Sequence, residues 1–391
     1  AAGSAHAGGI TTGGVTTAGI TADGGTSDGG TSDGVTIGGG KASGVTARGV
    51  TAGDVSAGGG KAGGVSTGGR VGRLHRARIA QACIFAALIV LVVSFSAMNS
   101  YEERLRRPSS ARSLQLGELK ISYVPDGAVQ LKPYGWLLRT TEQDWKDNAA
   151  FLDHTGNLVG SIGALLVEHG ERALLIDAGV GPVSVPDDPE NPKIGSIRGG
   201  ELLDSLAKLG RRPNEIEAVA FTHLHLDHLG WAWHPAPGRD RPAFTEADYL
   251  ISEPEWEQRH LSLEQGTTDE MLAALAPRVR TVRDDEEIFP GVRVALAPGH
   301  TFGHATYTIT SGGQRLIAFG DALHSSVQIR HPEWFAGSDL DSVESTVHRH
   351  RLVNELRRPD TIGFGVHFAD VVFGRVDQTA EDDGPTWVPV A

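Results

Sequence analysis

The chain has 391 residues, a net charge of −13 at neutral pH and a single cysteine. From residue 100 onward, 28 Lys and Arg stand against 44 Asp and Glu, a net charge of −16 that repels a phosphate backbone. These values exclude nucleic acid as a favoured partner and exclude an intramolecular disulfide.

Residues 1–73 differ in composition from the rest of the chain. They contain no Leu, Phe, Tyr, Trp or Pro, and 24 of the first 70 residues are glycine. Such a segment cannot bury enough apolar surface to offset its ordering entropy, so we expect a low-complexity, disordered segment. The repeated Gly-Gly-Gly-Lys-Ala unit is not a phosphate loop, because Val35 and Val55 stand where that motif requires glycine.

Ile79–Met98 is a run of twenty residues without a charged side chain. Its length suffices to cross a bilayer, which makes it a candidate transmembrane or signal-anchor helix and the chain a candidate single-pass membrane protein. Arginines flank both ends, so the excess of positive charge that usually marks the cytoplasmic side does not settle the orientation of this helix in the membrane. Alternatively, translation begins at Met98, which would give a cytoplasmic enzyme without this helix.

Residues 115–376 have the pattern of one large domain in which strands and helices are interleaved. The pattern predicts strands at Leu116–Val124, Ser161–Val167, Ala173–Asp177, Ala218–Thr222, Val292–Ala297, Ala305–Thr310, Leu316–Phe319 and Thr361–Val366. It predicts helices at Gly200–Leu209, Glu253–Arg259, Thr268–Leu275 and Asp339–Arg358. This order suits an α+β sheet sandwich covered by helices. The tail, residues 377–391, is expected to be irregular.

One six-residue stretch carries the strongest chemical signal. It reads His223-Leu224-His225-Leu226-Asp227-His228 and directly follows the apolar run that ends at Phe221. Imidazoles and carboxylates are the ligands that zinc, iron and manganese take in proteins. His223 and His225 are separated by one residue, so their side chains point to the same side. Asp227 and His228, just beyond them, can reach a second position, so this one segment can supply ligands to two metal ions.

Three later segments place further candidate ligands at the ends of predicted strands, where a rigid scaffold can hold them. They are Pro298-Gly299-His300-Thr301-Phe302-Gly303-His304, the strand that ends at Gly320-Asp321, and the strand that ends at Val366-His367. This succession resembles the metallo-β-lactamase superfamily: HxHxDH, then GH, then GD, then a late histidine. Leu174–Gly179 is similar to the early strand-and-turn motif of that family. The resemblance implies an αββα sandwich with its site at one edge.

Residue by residue, the resemblance implies two metal sites. His223, His225 and His300 would hold the first metal, Asp227, His228 and His367 the second, and Asp321 would bridge them. His304 would be a supporting residue. The implied chemistry is that of two divalent ions about 3.5–4 Å apart, whose bridging hydroxide attacks the substrate. Zinc is the default metal, and iron or manganese accept the same ligands. Asp227 is also a candidate proton carrier.

The resemblance narrows the substrate to a small molecule: an ester, a lactone or a phosphotriester, as in the lactonase and organophosphate-hydrolase branch. Cysteine-ligated lactamases do not fit, because Cys83 lies far upstream. Lactonases of the quorum-quenching kind carry a tyrosine three residues after the bridging aspartate, and His324 stands there in this chain. His324 is therefore either a catalytic proton donor or an ordinary supporting residue. A thioesterase of the glyoxalase II type and a non-catalytic ligand-binding member of the fold are the alternatives.

Overall fold

The computed structural model describes residues 100–377 and 384–390. The Gly-rich segment and the predicted apolar helix lie outside the described residues. Among the helices of the described ranges, none is long and apolar enough to span a membrane.

In the described part of the chain, the first sheet contains nine strands. They are β1 (Arg112–Leu116), β2 (Leu119–Leu131), β4 (Leu158–His169), β5 (Arg172–Ile176), β6 (Ser184–Val185), β7 (Ile194–Arg198), β8 (Ala218–Ala220), β9 (Asp248–Ser252) and β10 (Val279–Val282). Their order is β10-β9-β8-β5-β4-β2-β7-β6, and β1 pairs with β2. The pairs β5–β8, β8–β9 and β9–β10 are parallel, whereas the other pairs are antiparallel.

The second sheet has seven strands within the same ranges. They are β11 (Glu287–Phe289), β12 (Val292–Leu296), β13 (Ala305–Ser311), β14 (Gln314–Ala318), β16 (Thr361–Phe364), β17 (Phe373–Asp377) and β18 (Thr386–Pro389), and they lie side by side in chain order. A separate two-stranded ribbon pairs β3 (Leu137–Leu138) with β15 (Phe335–Ala336).

Seven labelled α-helices connect and cover the sheets in the described ranges. They are α1 (Pro133–Trp136), α2 (Glu142–Asp147), α3 (Leu202–Lys208), α4 (Leu226–Trp233), α5 (Glu253–Glu257), α6 (Asp269–Leu275) and α7 (Ser342–Leu356). Residues 100–105 are also helical. Short 3₁₀ segments lie at Ala149–Phe151, Pro213–Glu215, Arg259–Gln265, Ala276–Arg278, Gly320–Ala322 and Ser326–Ile329.

The layers of the fold can be read from the core in which each strand residue packs. On β5, Leu174 and Ile176 join the core shared by the two sheets, whereas Leu175 packs with the core that includes α3, α4 and α6. On β14, Leu316 points into the shared core and Ile317 packs towards α7. Alternate residues of a strand face opposite sides, so strands buried on both faces read as continuous apolar runs. The result is the expected αββα sandwich.

Three local features differ from the sequence predictions. The run Leu116–Val124 is two strands, because Gly117 takes a left-handed conformation (φ +55°) and turns the chain between β1 and β2. The helix α4, for which the sequence analysis makes no prediction, begins at Leu226, so half of the HxHxDH segment is helical. The C-terminal tail contains β18, which is held by the buried Trp387; its indole N–H donates to the carbonyl of Val371 at 2.7 Å.

Candidate metal centre

The predicted site residues come together where the carboxyl ends of several strands meet. His223 and His225 follow β8, and Asp227 and His228 occupy the first turn of α4. From the second sheet, the chain contributes one histidine after β12, a carboxylate after β14 and a histidine after β16, namely His300, Asp321 and His367. Because loops at strand ends are held by the sheet beneath them, the side chains are positioned by rigid elements.

We call His223, His225 and His300 the first trio. Nε2 of His223 lies 3.7 Å and Nε2 of His300 lies 3.4 Å from the same oxygen, Oδ2 of Asp321. Nδ1 of His225 is 3.2 Å from Nε2 of His300. These three residues and Asp321 form a buried group whose ligand atoms all lie within 4.8 Å of one another.

We call Asp227, His228 and His367 the second trio, which forms a group of the same kind. Nε2 of His228 and Nε2 of His367 lie 3.1 Å and 3.0 Å from the other carboxylate oxygen, Oδ1 of Asp321. The carboxylate of Asp227 approaches both imidazoles, at 3.7 Å and 3.6 Å. Asp321 thus presents one oxygen to each trio, as a bridging ligand would.

The donor set fits divalent ions. Nε2 of His223 is buried without a hydrogen-bond partner among the described residues, and a buried polar atom without a partner costs free energy. Elsewhere, imidazole nitrogens face each other in pairs, as His225 and His300 do at 3.2 Å. Such an inward-facing set of nitrogen and carboxylate donors is satisfied when cations lie between them.

For His223, His225 and Asp321 the electrostatics favour the metal-binding forms. Burial lowers the pKa of His223 and His225 well below the ordinary value, which keeps these imidazoles neutral. Burial alone would raise the pKa of Asp321, but the surrounding imidazoles, His228 foremost, hold it well below the ordinary value. Neutral imidazoles and an ionised carboxylate are the forms that bind metals. Burial would also lower the pKa of the other three imidazoles of the two trios, but the neighbouring carboxylates, Asp321 among them, raise it above the ordinary value in His228, His300 and His367.

The outward nitrogens of the histidines are held by hydrogen bonds, as metal-binding imidazoles usually are. Nδ1 of His228 donates to Asp177 at 2.9 Å. Nδ1 of His367 donates to the backbone carbonyl of Ser161 at 2.8 Å. Each bond fixes the ring so that Nε2 points into the cluster.

His304 does not belong to either group of possible ligands. Its Nε2 accepts a hydrogen bond from the backbone N–H of Asp321 at 3.1 Å. Burial lowers the pKa of His304 to about 3, so the ring is neutral and can accept. This contact agrees with the supporting role that the sequence predicts for His304.

His324 lies against the cluster. Its side chain is 1% exposed, and Nε2 is 3.1 Å from Oδ2 of Asp321. The ring packs edge-on against Trp136, with centroids 5.2 Å apart. His324 also lines a cavity of about 170 Å³, together with Asp227 and His367. It therefore stands between the carboxylate of Asp321 and this cavity.

Three buried charged residues close to the cluster escape the sequence analysis. The carboxylate of Asp339 lies 2.8 Å from His300, and the fully buried Arg349 contacts Asp339 from behind. Glu255, also buried, follows β9, a strand that the sequence analysis does not predict. The short apolar run Tyr249–Ile251 ahead of a predicted helix is the signal that would have shown this strand end.

Residues 159–365 match the Metallo-beta-lactamase superfamily, which is more than half of the chain. An N-acyl homoserine lactonase from Bacillus cereus is 24% identical over 218 residues, which cover 52% of this chain and 81% of that protein. An N-acyl homoserine lactonase from Bacillus thuringiensis is 26% identical over 206 residues, covering 50% of this chain and 76% of the relative.

Solved structures show the same fold. AidC, described as a dizinc quorum-quenching lactonase, has a TM-score of 0.61 and 24% identity, covering 72% of this chain and 98% of AidC. AbOPH, a hydrolase in the beta lactamase superfamily, also has a TM-score of 0.61, with 23% identity and coverages of 73% and 99%. The match to the family and the two clusters of possible ligands lead to one conclusion. The chain belongs to the metallo-beta-lactamase superfamily, as one of its metal-dependent hydrolases.

Proposed function

We propose that this protein is a dinuclear metal-dependent hydrolase that opens a lactone or cleaves a small carboxylic ester. The observation that carries the proposal is the position of Asp321 between the two trios, with a separate oxygen towards each. In this proposal the first trio holds one ion, the second trio holds the other, and Asp321 bridges them. Zinc is the proposed metal, because histidines with carboxylates are a typical zinc donor set. AidC, which shares the fold, is itself described as dizinc.

Two bound ions would supply an acidified water as nucleophile and would polarise the scissile carbonyl. The protein supplies position and proton transfer. Asp227 is partly exposed, with a quarter of its side chain accessible, and it lines the cavity. Its carboxylate can therefore accept a proton from the attacking water and pass it on.

His324 is the proposed donor to the leaving oxygen. It stands three residues after Asp321 and lines the same cavity as Asp227, so its ring lies on the substrate side of the cluster. An imidazole N–H that donates to the leaving alkoxide would replace the tyrosine that lactonases of the quorum-quenching kind carry at this position.

The cavity supports a substrate with an apolar group. Its volume is about 170 Å³, and one wall consists of paired residues from two strands, Val129 opposite Ile197 and Leu131 opposite Ile194. Such a wall is rigid and apolar, and it lies directly beside the metal cluster. An acyl chain attached to the reacting carbonyl would bury its methylenes there. The relatives named as N-acyl homoserine lactonases agree with this substrate class.

The experiment begins with metal stoichiometry, measured by elemental mass spectrometry on the purified full chain. We expect about two divalent ions per chain, and hydrolysis of lactones or esters that a chelator abolishes and zinc restores. Essentially no metal after reconstitution with zinc, iron or manganese would overturn the proposal and favour the ligand-binding alternative. A panel of substrates then separates the classes: turnover of thioesters alone would favour a glyoxalase II-type thioesterase, and turnover of phosphotriesters alone the organophosphate-hydrolase branch.

A further inference from the structure

Glu255 is a buried carboxylate in α5, and only 5% of its surface is exposed. The helix begins directly after β9, which runs parallel to β8, so Glu255 lies at the same sheet edge as the histidines after β8. Burial raises the pKa of its carboxyl group. A carboxylate in such a position must be stabilised by hydrogen bonds.

The hydrogen bonds of Glu255 run to two different loops. Oε1 accepts from the backbone N–H of Leu224 at 3.0 Å. Oε2 accepts from the hydroxyl of Thr301 at 2.8 Å and from the backbone N–H of Gly303 at 2.8 Å. Leu224 lies between the first two histidines of the cluster, and Thr301 directly follows His300. One side chain therefore joins the two loops that carry the first trio.

Neighbouring contacts reinforce this junction. The carbonyl of Leu224 accepts from the hydroxyl of Thr267 at 2.6 Å, so both backbone polar groups of Leu224 are held by side chains. A Cβ atom on Gly303 would lie 2.1 Å from the backbone nitrogen of Glu255, so only glycine allows this close approach. The loop of His300 is thus packed directly on the helix that carries Glu255.

The second trio is anchored differently. His228 is held by Asp177, and His367 is held by the backbone of Ser161. No hydrogen bond described for Glu255 reaches these residues. The two halves of the cluster therefore depend on different supporting residues.

We propose that Glu255 is a positioning residue that sets the spacing between the two loops of the first trio and thereby controls metal occupancy of that site alone. The inference rests on the proposed function, since it assumes that the two trios hold metal ions. Glu255 contacts neither substrate nor metal in this proposal. It acts through Leu224 and Thr301, which fix the positions of His225 and His300.

The test variant is Glu255→Gln, which keeps the size of the side chain. Its amide can direct oxygen towards only one of the two loops, so at least one N–H donor then faces an NH₂ group. Loss of residues that orient metal ligands typically weakens metal affinity about 10- to 100-fold. We expect the variant to keep one ion per chain at a chelator concentration at which the wild type keeps two.

Variants in which one site is already broken identify which ion is lost. In a His367→Ala background, adding Glu255→Gln should remove the remaining ion, whereas in a His225→Ala background it should change nothing further. The absorption spectrum of the cobalt-substituted protein provides a second measurement, because it reports ligand geometry independently of turnover. Glu253→Gln is the matched control: it lies on the same helix, and its partly exposed carboxylate pairs with Arg283.

The outcomes separate the two proposals. A wild type that binds no metal would overturn the proposed function and this inference with it. A wild type with two ions and a Glu255→Gln variant that keeps both, or releases both in parallel, would overturn the inference alone. If Glu255→Gln does not fold, Thr301→Val tests the same junction. That variant should lose the same ion at a lower chelator concentration than the wild type, and wild-type retention would count against the role of Glu255.

Discussion

Asp339 lies directly behind His300, with Oδ1 of the carboxylate 2.8 Å from Nδ1 of the imidazole. The carboxylate is held in turn by the hydroxyl of Ser345 at 2.6 Å and by the guanidinium of Arg349 at 3.3 Å. Burial would raise the pKa of Asp339, but the hydrogen bond from His300 holds it at about 2. The carboxylate thus stays ionised and fixes the ring of His300 with Nε2 towards the cluster.

We expect Asp339→Asn to weaken metal binding about 10- to 100-fold, because an amide orients and polarises His300 less well than a carboxylate does. Titration of the metal-free protein with zinc, in competition with a chelator, measures the change. Asp341→Asn is the control, since Asp341 caps α7 on the exposed surface and asparagine caps a helix equally well. Equal zinc affinity in wild type and Asp339→Asn would show that Asp339 has no part in metal binding.

A second prediction separates the two roles proposed for Asp227. If this carboxylate carries a proton as well as binding metal, Asp227→Asn should lose turnover by about 10²- to 10⁴-fold while losing less of its metal. Metal content and kcat are measured on the same preparation. Losses of equal size in both quantities would assign Asp227 to ligation alone.

His324 carries the third prediction. Its replacement by phenylalanine removes both nitrogens of a ring that lines the cavity, and we expect kcat for lactone opening to fall about 10²-fold or more at unchanged metal content. His324→Tyr should recover part of the loss, because a phenol can donate to the same leaving oxygen. His260→Gln changes an exposed histidine and serves as control. A His324→Phe variant with wild-type turnover would make His324 an ordinary supporting residue.

The sequence predicts those site residues that lie close together along the chain. His223, His225, Asp227 and His228 lie within six residues, and the spacing alone predicts a metal site. Their supporting residues are not local. Asp339 is 39 residues from His300, and their contact depends on how the loop before α7 folds over the cluster.

The fold is predictable to a similar degree. Strands buried on both faces, such as Arg172–Ile176, give apolar runs that stand out in the sequence. Short or partly exposed strands such as Ser184–Val185 give no such run. Strand order depends on packing between distant segments, which no local pattern records.

The fourth prediction concerns the apolar wall of the cavity. Ile197→Trp would place a larger, rigid side chain in the wall of the 170 Å³ cavity beside the cluster and so reduce the space along that wall. We expect KM to rise for lactones with long acyl chains and to change little for those with short chains. A series of N-acyl homoserine lactones of increasing chain length measures this, with the shortest as internal control. An equal rise for all lengths would mean that the acyl chain binds elsewhere.

The last prediction concerns Asp370, which lies in the loop after His367 and is 2% exposed. Its Oδ2 accepts from Arg107 at 2.8 Å, and its Oδ1 accepts from Nε of Arg112 at 3.0 Å. Arg107 lies in the segment before the first sheet, and Arg112 is the first residue of β1. The carboxylate therefore ties this segment to the loop that carries a proposed metal ligand.

Asp370 is buried but its arginine partners are partly exposed and can be hydrated without it, so Asp370→Asn should lower the free energy of unfolding by about 1–2 kcal/mol through the lost charge-assisted hydrogen bonds. Urea denaturation measures the change. Asp360→Asn is the matched control, because Asp360 is exposed and has a positive φ of 61°, which asparagine also tolerates. We further expect faster release of one metal ion from Asp370→Asn, since the loop of His367 loses its anchor. Unchanged stability would mean that the arginines are sufficiently hydrated without Asp370, and the segment would then contribute little to holding His367.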